Sequence, residues 1–250
     1  MLSLFYELDK KMIRIFKSIL LVCVVVFSAL NVRAENKLKK INVTRSIKVV
    51  SRHVVRGFFT SKSPCIEPSL NFQKGKFTIG AWGSYAFDAS YSEVDFYVQY
   101  NTPLFQYSLT SLYNPRQDFE NSDFFDFESE ESVHFLDAIA KYKGCENFPV
   151  SIMTSVMIYG EVDRNAGNNQ RYSTYIEFAY SNSIGGKKLT WSLGLTPRKG
   201  FYASEFNVVN MNMSVFDEIK FNDQFSLPIS AGLSLNPVTE RFLFNVAFIL

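Results

Sequence analysis

From Lys48 to the last residue the chain alternates apolar and polar side chains with a period of two, and helical spacing is nearly absent. In 225–235, Phe225, Leu227, Ile229, Ala231, Leu233 and Leu235 share one face, while Ser226, Pro228, Ser230, Gly232 and Ser234 share the other. Segment 189–195 sets Leu189, Trp191, Leu193 and Leu195 against Thr190, Ser192 and Gly194. Segment 93–100 sets Val94, Phe96, Val98 and Tyr100 against Glu93, Asp95, Tyr97 and Gln99. Twelve such strands are expected, at 47–59, 67–74, 76–87, 92–101, 104–113, 132–142, 148–159, 171–181, 187–196, 205–217, 224–235 and 239–250. Most approach the roughly 9–11 residues that a tilted strand needs to cross a bilayer, and an even count suits a single-chain bacterial barrel.

The connections carry a second pattern. Gaps after odd-numbered strands are polar, and 114–131 and 160–170 are the longest; gaps after even ones are tighter, as at Gly75, 102–103 and 143–147. Outer-membrane barrels have long outside loops and short periplasmic turns, so both chain ends are expected in the periplasm. The short 236–238 connection departs from the rule. At the C-terminus, Phe242, Phe244, Val246, Phe248 and Leu250 occupy one face of a strand that runs to the final residue. Barrel-assembly machinery reads such a strand. Together these features predict an all-β fold, a transmembrane antiparallel up-and-down β-barrel. A soluble sandwich or lipocalin-like barrel also alternates, and alternation alone does not say which face points out.

The N-terminus reads as an address. Arg14 and Lys17 precede an apolar stretch from Ile19 to Leu30, and Val32-Arg33-Ala34 supplies a cleavage site. Residues 1–34 are therefore expected to be a secretory signal peptide, the run being short for a bilayer of about 30 Å. Glu7 and Asp9 are foreign to a signal's basic region, which points to Met12 as the true start. Residues 35–45, with Lys37, Lys39, Lys40 and Arg45, read as a periplasmic tail, and 46–250 as the barrel.

Composition narrows the classes further. The chain has 250 residues with 26 basic and 24 acidic side chains, so no basic surface points to nucleic acid. Removing 1–34 takes away five basic and two acidic residues and leaves 21 and 22, a net charge of −1. With 25 Phe, 13 Tyr and 2 Trp, the chain is too aromatic for disorder or a coiled coil. Its single long apolar run excludes a helical membrane bundle.

Several short stretches resemble a known family. They are Ser51-Arg52-His53-Val54-Val55-Arg56-Gly57, Ser63-Pro64-Cys65-Ile66-Glu67-Pro68-Ser69, Gly80-Ala81-Trp82-Gly83-Ser84-Tyr85, Glu93-Val94-Asp95, Ser173-Thr174-Tyr175-Ile176-Glu177, Phe225-Ser226-Leu227-Pro228 and Asn236-Pro237. Over about residues 46–250 the chain resembles small, largely uncharacterised outer-membrane β-barrel proteins of Bacteroides-type bacteria, related to porins. The resemblance implies an outer-membrane barrel in a Gram-negative bacterium and no particular activity. His53 stands where the family's motif usually has an aromatic residue, and Cys65 where it has a small polar one.

If apolar residues face lipid, the other face lines the lumen. That places Lys48, Arg52 and Arg56 of the first strand inside, with Glu67, Asn71 and Gln73 of the second, Glu93 and Asp95 of the fourth, and Glu177 of the eighth. Asp137 and Lys141 share a face with Phe135 and Ile139, so their direction is open. Arg56 and Glu67 are expected near each other at the outer end of adjacent strands. Such charges serve either as a salt-bridge ladder fixing the register or as a charged constriction that selects solutes.

Other chemistry is thinly represented. Ser51 and His53 would share the outward face of the first strand, where a lipid-hydrolase pair could sit, but no orienting carboxylate or amide is evident. His134 stands alone at the mouth of the sixth strand. Two His and no Cys pair at ligand spacing argue against a metal. Cys65, in an outside loop, and Cys145, in a periplasmic turn, would lie about 25 Å apart, too far for a disulfide. The loop 114–131 carries Asp118, Glu120, Asp123, Asp126, Glu128, Glu130 and Glu131 against Arg116, interleaved with Phe119, Phe124, Phe125 and Phe127. It is a solvated loop, a lid, or a divalent-cation site, with Asp118, Glu120, Asp123, Asp126 and Glu128 as ligands, bridging to lipopolysaccharide. The expectation is a monomeric porin-like channel for small solutes. The alternatives are a closed, loop-presenting barrel and a lipid-active enzyme. Expected partners are outer-membrane lipid, lipopolysaccharide and the assembly machinery, and no cofactor is expected.

Overall fold

The structure, a computed structural model, describes residues 41–115, 124–127 and 132–250. The expected signal peptide lies outside the described residues. Among the described residues fourteen strands follow one another: β1 Asn42–Val50, β2 Val54–Val55, β3 Phe58–Phe59, β4 Cys65–Lys74, β5 Phe77–Ala86, β6 Ser92–Asn101, β7 Phe105–Tyr113, β8 His134–Tyr142, β9 Val150–Tyr159, β10 Thr174–Ile184, β11 Lys187–Thr196, β12 Asn207–Lys220, β13 Ser226–Asn236 and β14 Arg241–Ile249. Apart from β2 and β3, they form one closed barrel of twelve antiparallel strands in sequence order, β14 returning to β1. This is the up-and-down barrel that the alternation predicts. Closure leaves no sheet edge along the wall except where β1 and β14 run past their short seam, so elsewhere the wall strands satisfy one another's backbone groups.

The structure also settles which face points out. Phe72, Ile79, Phe96, Leu109, Phe178, Trp191 and Phe244 are exposed, whereas Ser84, Ser155, Thr196 and Asn236 are fully buried. A soluble barrel has the opposite polarity. The direction left open on β8 is resolved as well: Phe135, Asp137, Ile139 and Lys141 all face the interior, beside a register shift at Leu136/Asp137.

Short turns gather at one end of the barrel. They are 75–76, 102–104, 143–149, 185–186 and 221–225. Gly185 and Gly186 both have positive φ, +58° and +78°, the geometry of a two-residue hairpin turn. The other end carries 51–64, 87–91, the described parts of the 114–133 connection (114–115, 124–127 and 132–133), 160–173, 197–206 and 237–240. Asn42 and Ile249 both lie at the short-turn end. Cys145 is exposed in the 143–149 turn, whereas Cys65 opens β4 and is buried, rather than lying in an outside loop. Both thiols are free.

The first strand departs from expectation. Pairing begins at Asn42, inside the segment read as a tail, and β1 ends at Val50 instead of continuing to residue 59. Nine pairs join β1 to β4, from Asn42↔Gln73 to Val50↔Cys65, but only three join it to β14. At Ser51, whose N–H donates to Val246 O at 2.8 Å, the chain leaves the wall and turns inward. Residues 54–59 then form a separate hairpin, Val54 opposite Phe59 and Val55 opposite Phe58. Arg56 (φ 51°) and Gly57 (φ 82°) make its turn. Positive φ at both central residues closes a two-residue hairpin with the right twist, and an Arg-Gly pair inside an alternating run is a faint signal for it.

Candidate functional site

The hairpin enters the lumen and is held at foot and tip. At the foot, His53 is 8% exposed. Its Nδ1 lies 2.8 Å from Glu67 Oε1 and its Nε2 4.0 Å from Glu93 Oε2. The ring stacks on Tyr91 with centroids 5.3 Å apart and leans on Trp82 at 5.2 Å. Tyr91 in turn donates its hydroxyl to Glu93. The His53 N–H donates to Ser61 Oγ at 2.8 Å, tying the two arms of the loop together. Farther out, Ser63 Oγ donates to Asp88 Oδ1 at 2.7 Å and fastens the loop to 87–91.

At the tip, the Arg56 guanidinium donates to Asp137 on β8 and to the Tyr202 hydroxyl in the 197–206 loop. It also sits 5.4 Å from the Tyr175 ring centroid and 5.9 Å from that of Tyr202, so rings and a carboxylate together replace its water. Asp137, 2% exposed, accepts a second bond from Ser155 Oγ at 2.6 Å. Asn236 Nδ2 donates to Gly57 O at 3.2 Å. Tyr175, fully buried, donates to Glu177 at 2.7 Å and accepts from Asn210 Nδ2 at 3.1 Å.

The tip and foot bonds divide the lumen. The tip meets the β10–β13 side through the Tyr175 ring, Val209 and Asn236, and reaches across to β8 through the Arg56–Asp137 pair. Between the hairpin and the opposite wall, β5 to β9, runs a cavity of about 670 Å³. It reaches from Gln99, Gln106 and Lys141 near the short turns to Asn114, Ser132 and Glu161 at the loop end. Glu93, Asp95 and Asp137 line its middle, with Trp82, Tyr97 and Phe135.

The sequence-predicted residues are thus partly brought together. Glu67, Glu93 and Asp95 lie inside, and Lys48 stands opposite Glu67 in the β1–β4 register. Glu177 faces inward beside Tyr175. Arg56 is inside, but on the hairpin and not on the wall. It does not pair with Glu67, because Glu67 is taken by His53 and Arg56 by Asp137. Arg52 is not part of the cluster; it is exposed at the bend, where its N–H donates to Asn245 Oδ1 at 3.3 Å. Ser51 and His53 do not share an outward face: Ser51 is tied to Asn245 at the wall, and His53 turns into the lumen. Asp118, Glu120, Asp123 and Glu128 lie outside the described residues. Asp126 is described, and its carbonyl accepts from Ser132 Oγ at 2.8 Å. His134 opens β8 at the edge of the adjoining loop but does not stand alone: it is 2% exposed, packed by Tyr113, Phe124 and Phe127, with Nε2 at 2.7 Å from Phe124 O. Among the described residues no group of His, Cys, Asp and Glu is arranged to hold a metal ion. Nothing local marks Tyr202 as a partner of Arg56, and the Asn236-Pro237 stretch does not show that Asn236 binds Gly57, since each acts on a segment far away in sequence.

Neither a protein-family model nor a curated protein sequence matches the chain. Among solved structures, one similar fold is that of a "KdgM porin", with 8% sequence identity, a TM-score of 0.43, and coverage of 82% of this chain and 97% of that one.

Proposed function

We propose that this chain is a monomeric outer-membrane, porin-like channel for small solutes, narrowed by its first loop. The supporting observation is the cavity beside the hairpin, which follows β5–β9 from the short-turn end to the loop end. Barrels of about eight strands fill with side chains and those of about sixteen leave a wide pore, so twelve strands with an inserted hairpin suit a narrow passage. The exposed aromatic and aliphatic outer face suits lipid, with lipopolysaccharide around the loop end. The apolar stripe of β14, ending at Leu250, suits recognition by the barrel-assembly machinery.

A closed barrel is the second reading, and the hairpin's attachment at both foot and tip favours it. Planar-bilayer recording of the refolded chain lacking residues 1–34 separates the two. Steady unitary currents support the channel. Silence from protein shown folded by heat-dependent gel mobility and inserted by co-flotation with the lipid under alkaline wash replaces the channel with the closed barrel.

A further inference from the structure

We infer that the passage beside the hairpin prefers small cations, ammonium-bearing solutes among them, over anions, and that Asp95 and Glu93 set this preference. The inference rests on the channel reading above.

It follows from which charges are already paired. Arg56, the cation nearest the middle of the cavity, is bound to Asp137. His53 is bound to Glu67 at 2.8 Å and lies 4.0 Å from Glu93. Asp95 has a buried Oδ1 with no hydrogen-bond partner, while its carboxyl is hydrogen-bonded to that of Glu93, so the two hold one proton between them and carry one negative charge. Asp95 and Glu93 are two residues apart on β6 and face the same cavity. Lys141, the other basic residue of the lining, is on β8 four residues beyond Asp137. That is about 13 Å farther along the strand, toward the short turns. At the loop end Glu161 stands 3.8 Å from Arg164. With Arg56 spent on Asp137 and His53 on Glu67, the single negative charge of the Glu93–Asp95 pair is left as the acidic excess in the middle of the passage.

Two physical effects turn that excess into selectivity. Charges of one sign in a narrow, low-dielectric cleft focus their field along it, and rings of Asp and Glu make cation-selective pores. The lining also presents aromatic rings. Trp82 is the direct cross-strand neighbour of Asp95, and Tyr97 and Phe135 flank it. Ring faces attract cations, ammonium groups included, and give anions nothing.

The test is the reversal potential of single channels across a gradient of potassium chloride, for the wild type, Asp95→Asn and Asp95→Asn/Glu93→Gln. Both substitutions keep side-chain shape, and heat-dependent gel mobility confirms each barrel. The wild type should pass potassium over chloride, tetramethylammonium should also carry current, and the ratio should fall roughly threefold or more in the double variant. Current without cation preference, or a preference the double variant keeps, overturns the inference and leaves the channel standing. Absence of any current from folded, inserted protein removes the channel, and this inference with it.

Discussion

Asn236 Nδ2 donates a 3.2 Å hydrogen bond to the carbonyl oxygen of Gly57, joining the end of β13 to the tip of a hairpin 179 residues away in sequence. The contact is close because Gly57 has no side chain. A Cβ there would lie 2.0 Å from Val209 O and 3.1 Å from Val209 C, both backbone atoms, and φ is +82°. Gly57→Ala should therefore unseat the tip at a cost of about 1–3 kcal/mol. The wall does not depend on the hairpin ladder, so the barrel should still close. The expected outcome is a larger unitary conductance with native gel mobility. Unchanged conductance would show that the hairpin does not narrow the bore.

The Arg56–Asp137 pair is buried, the two side chains being 16% and 2% exposed. Removing one partner strands the other, so Asp137→Ala should destabilise by about 3–5 kcal/mol. Arg56→Met/Asp137→Leu removes both charges and should cost less than Asp137→Ala alone. A double-mutant cycle of Arg56→Met, Asp137→Leu and the two together, in urea and read by tryptophan fluorescence, measures the coupling. Additive effects would mean that the ion pair does not hold the hairpin.

Period-two alternation made the wall legible from β4 to β14, because every wall residue there chooses between two faces. Even β12, where alternation is weak, was placed. The first loop is not legible in this way because a hairpin strand alternates like a wall strand, and Ser51-Arg52-His53-Val54 carries the pattern past the point where the chain leaves the wall. The site was less legible than the fold. Glu67 and Glu93 were visible as inward carboxylates. Their partner His53 and the Arg56 partners Asp137 and Tyr202 are fixed by the tertiary path of the loop, over separations of 81 and 146 residues for Arg56, and no local pattern encodes them.

Cys145 offers a test of orientation. It is exposed, and the Tyr142 hydroxyl donates to its sulfur at 3.1 Å. That bond favours the thiolate and holds the thiol below its ordinary range. A membrane-impermeant maleimide should spare intact cells and label Cys145 once the outer membrane is permeabilised, whereas buried Cys65 should react only after unfolding. Because a lowered thiol keeps more thiolate at lower pH, Tyr142→Phe should move the labelling profile to higher pH. Labelling of intact cells at Cys145 would invert the proposed topology.

β1 leaves the wall early, so the circle is completed by three paired residues, flanked by the Ile47–Leu250 and Ser51–Val246 backbone bonds, where its other side has nine pairs. Heat or force should open the cylinder like a sleeve along that line. Amide protons on the β1-facing side of β14 should exchange before those between β12 and β13. The first and last strands to emerge in synthesis would then make the last join in assembly and the first to part. The bend that sends a hairpin into the bore thus also decides where the vessel unzips.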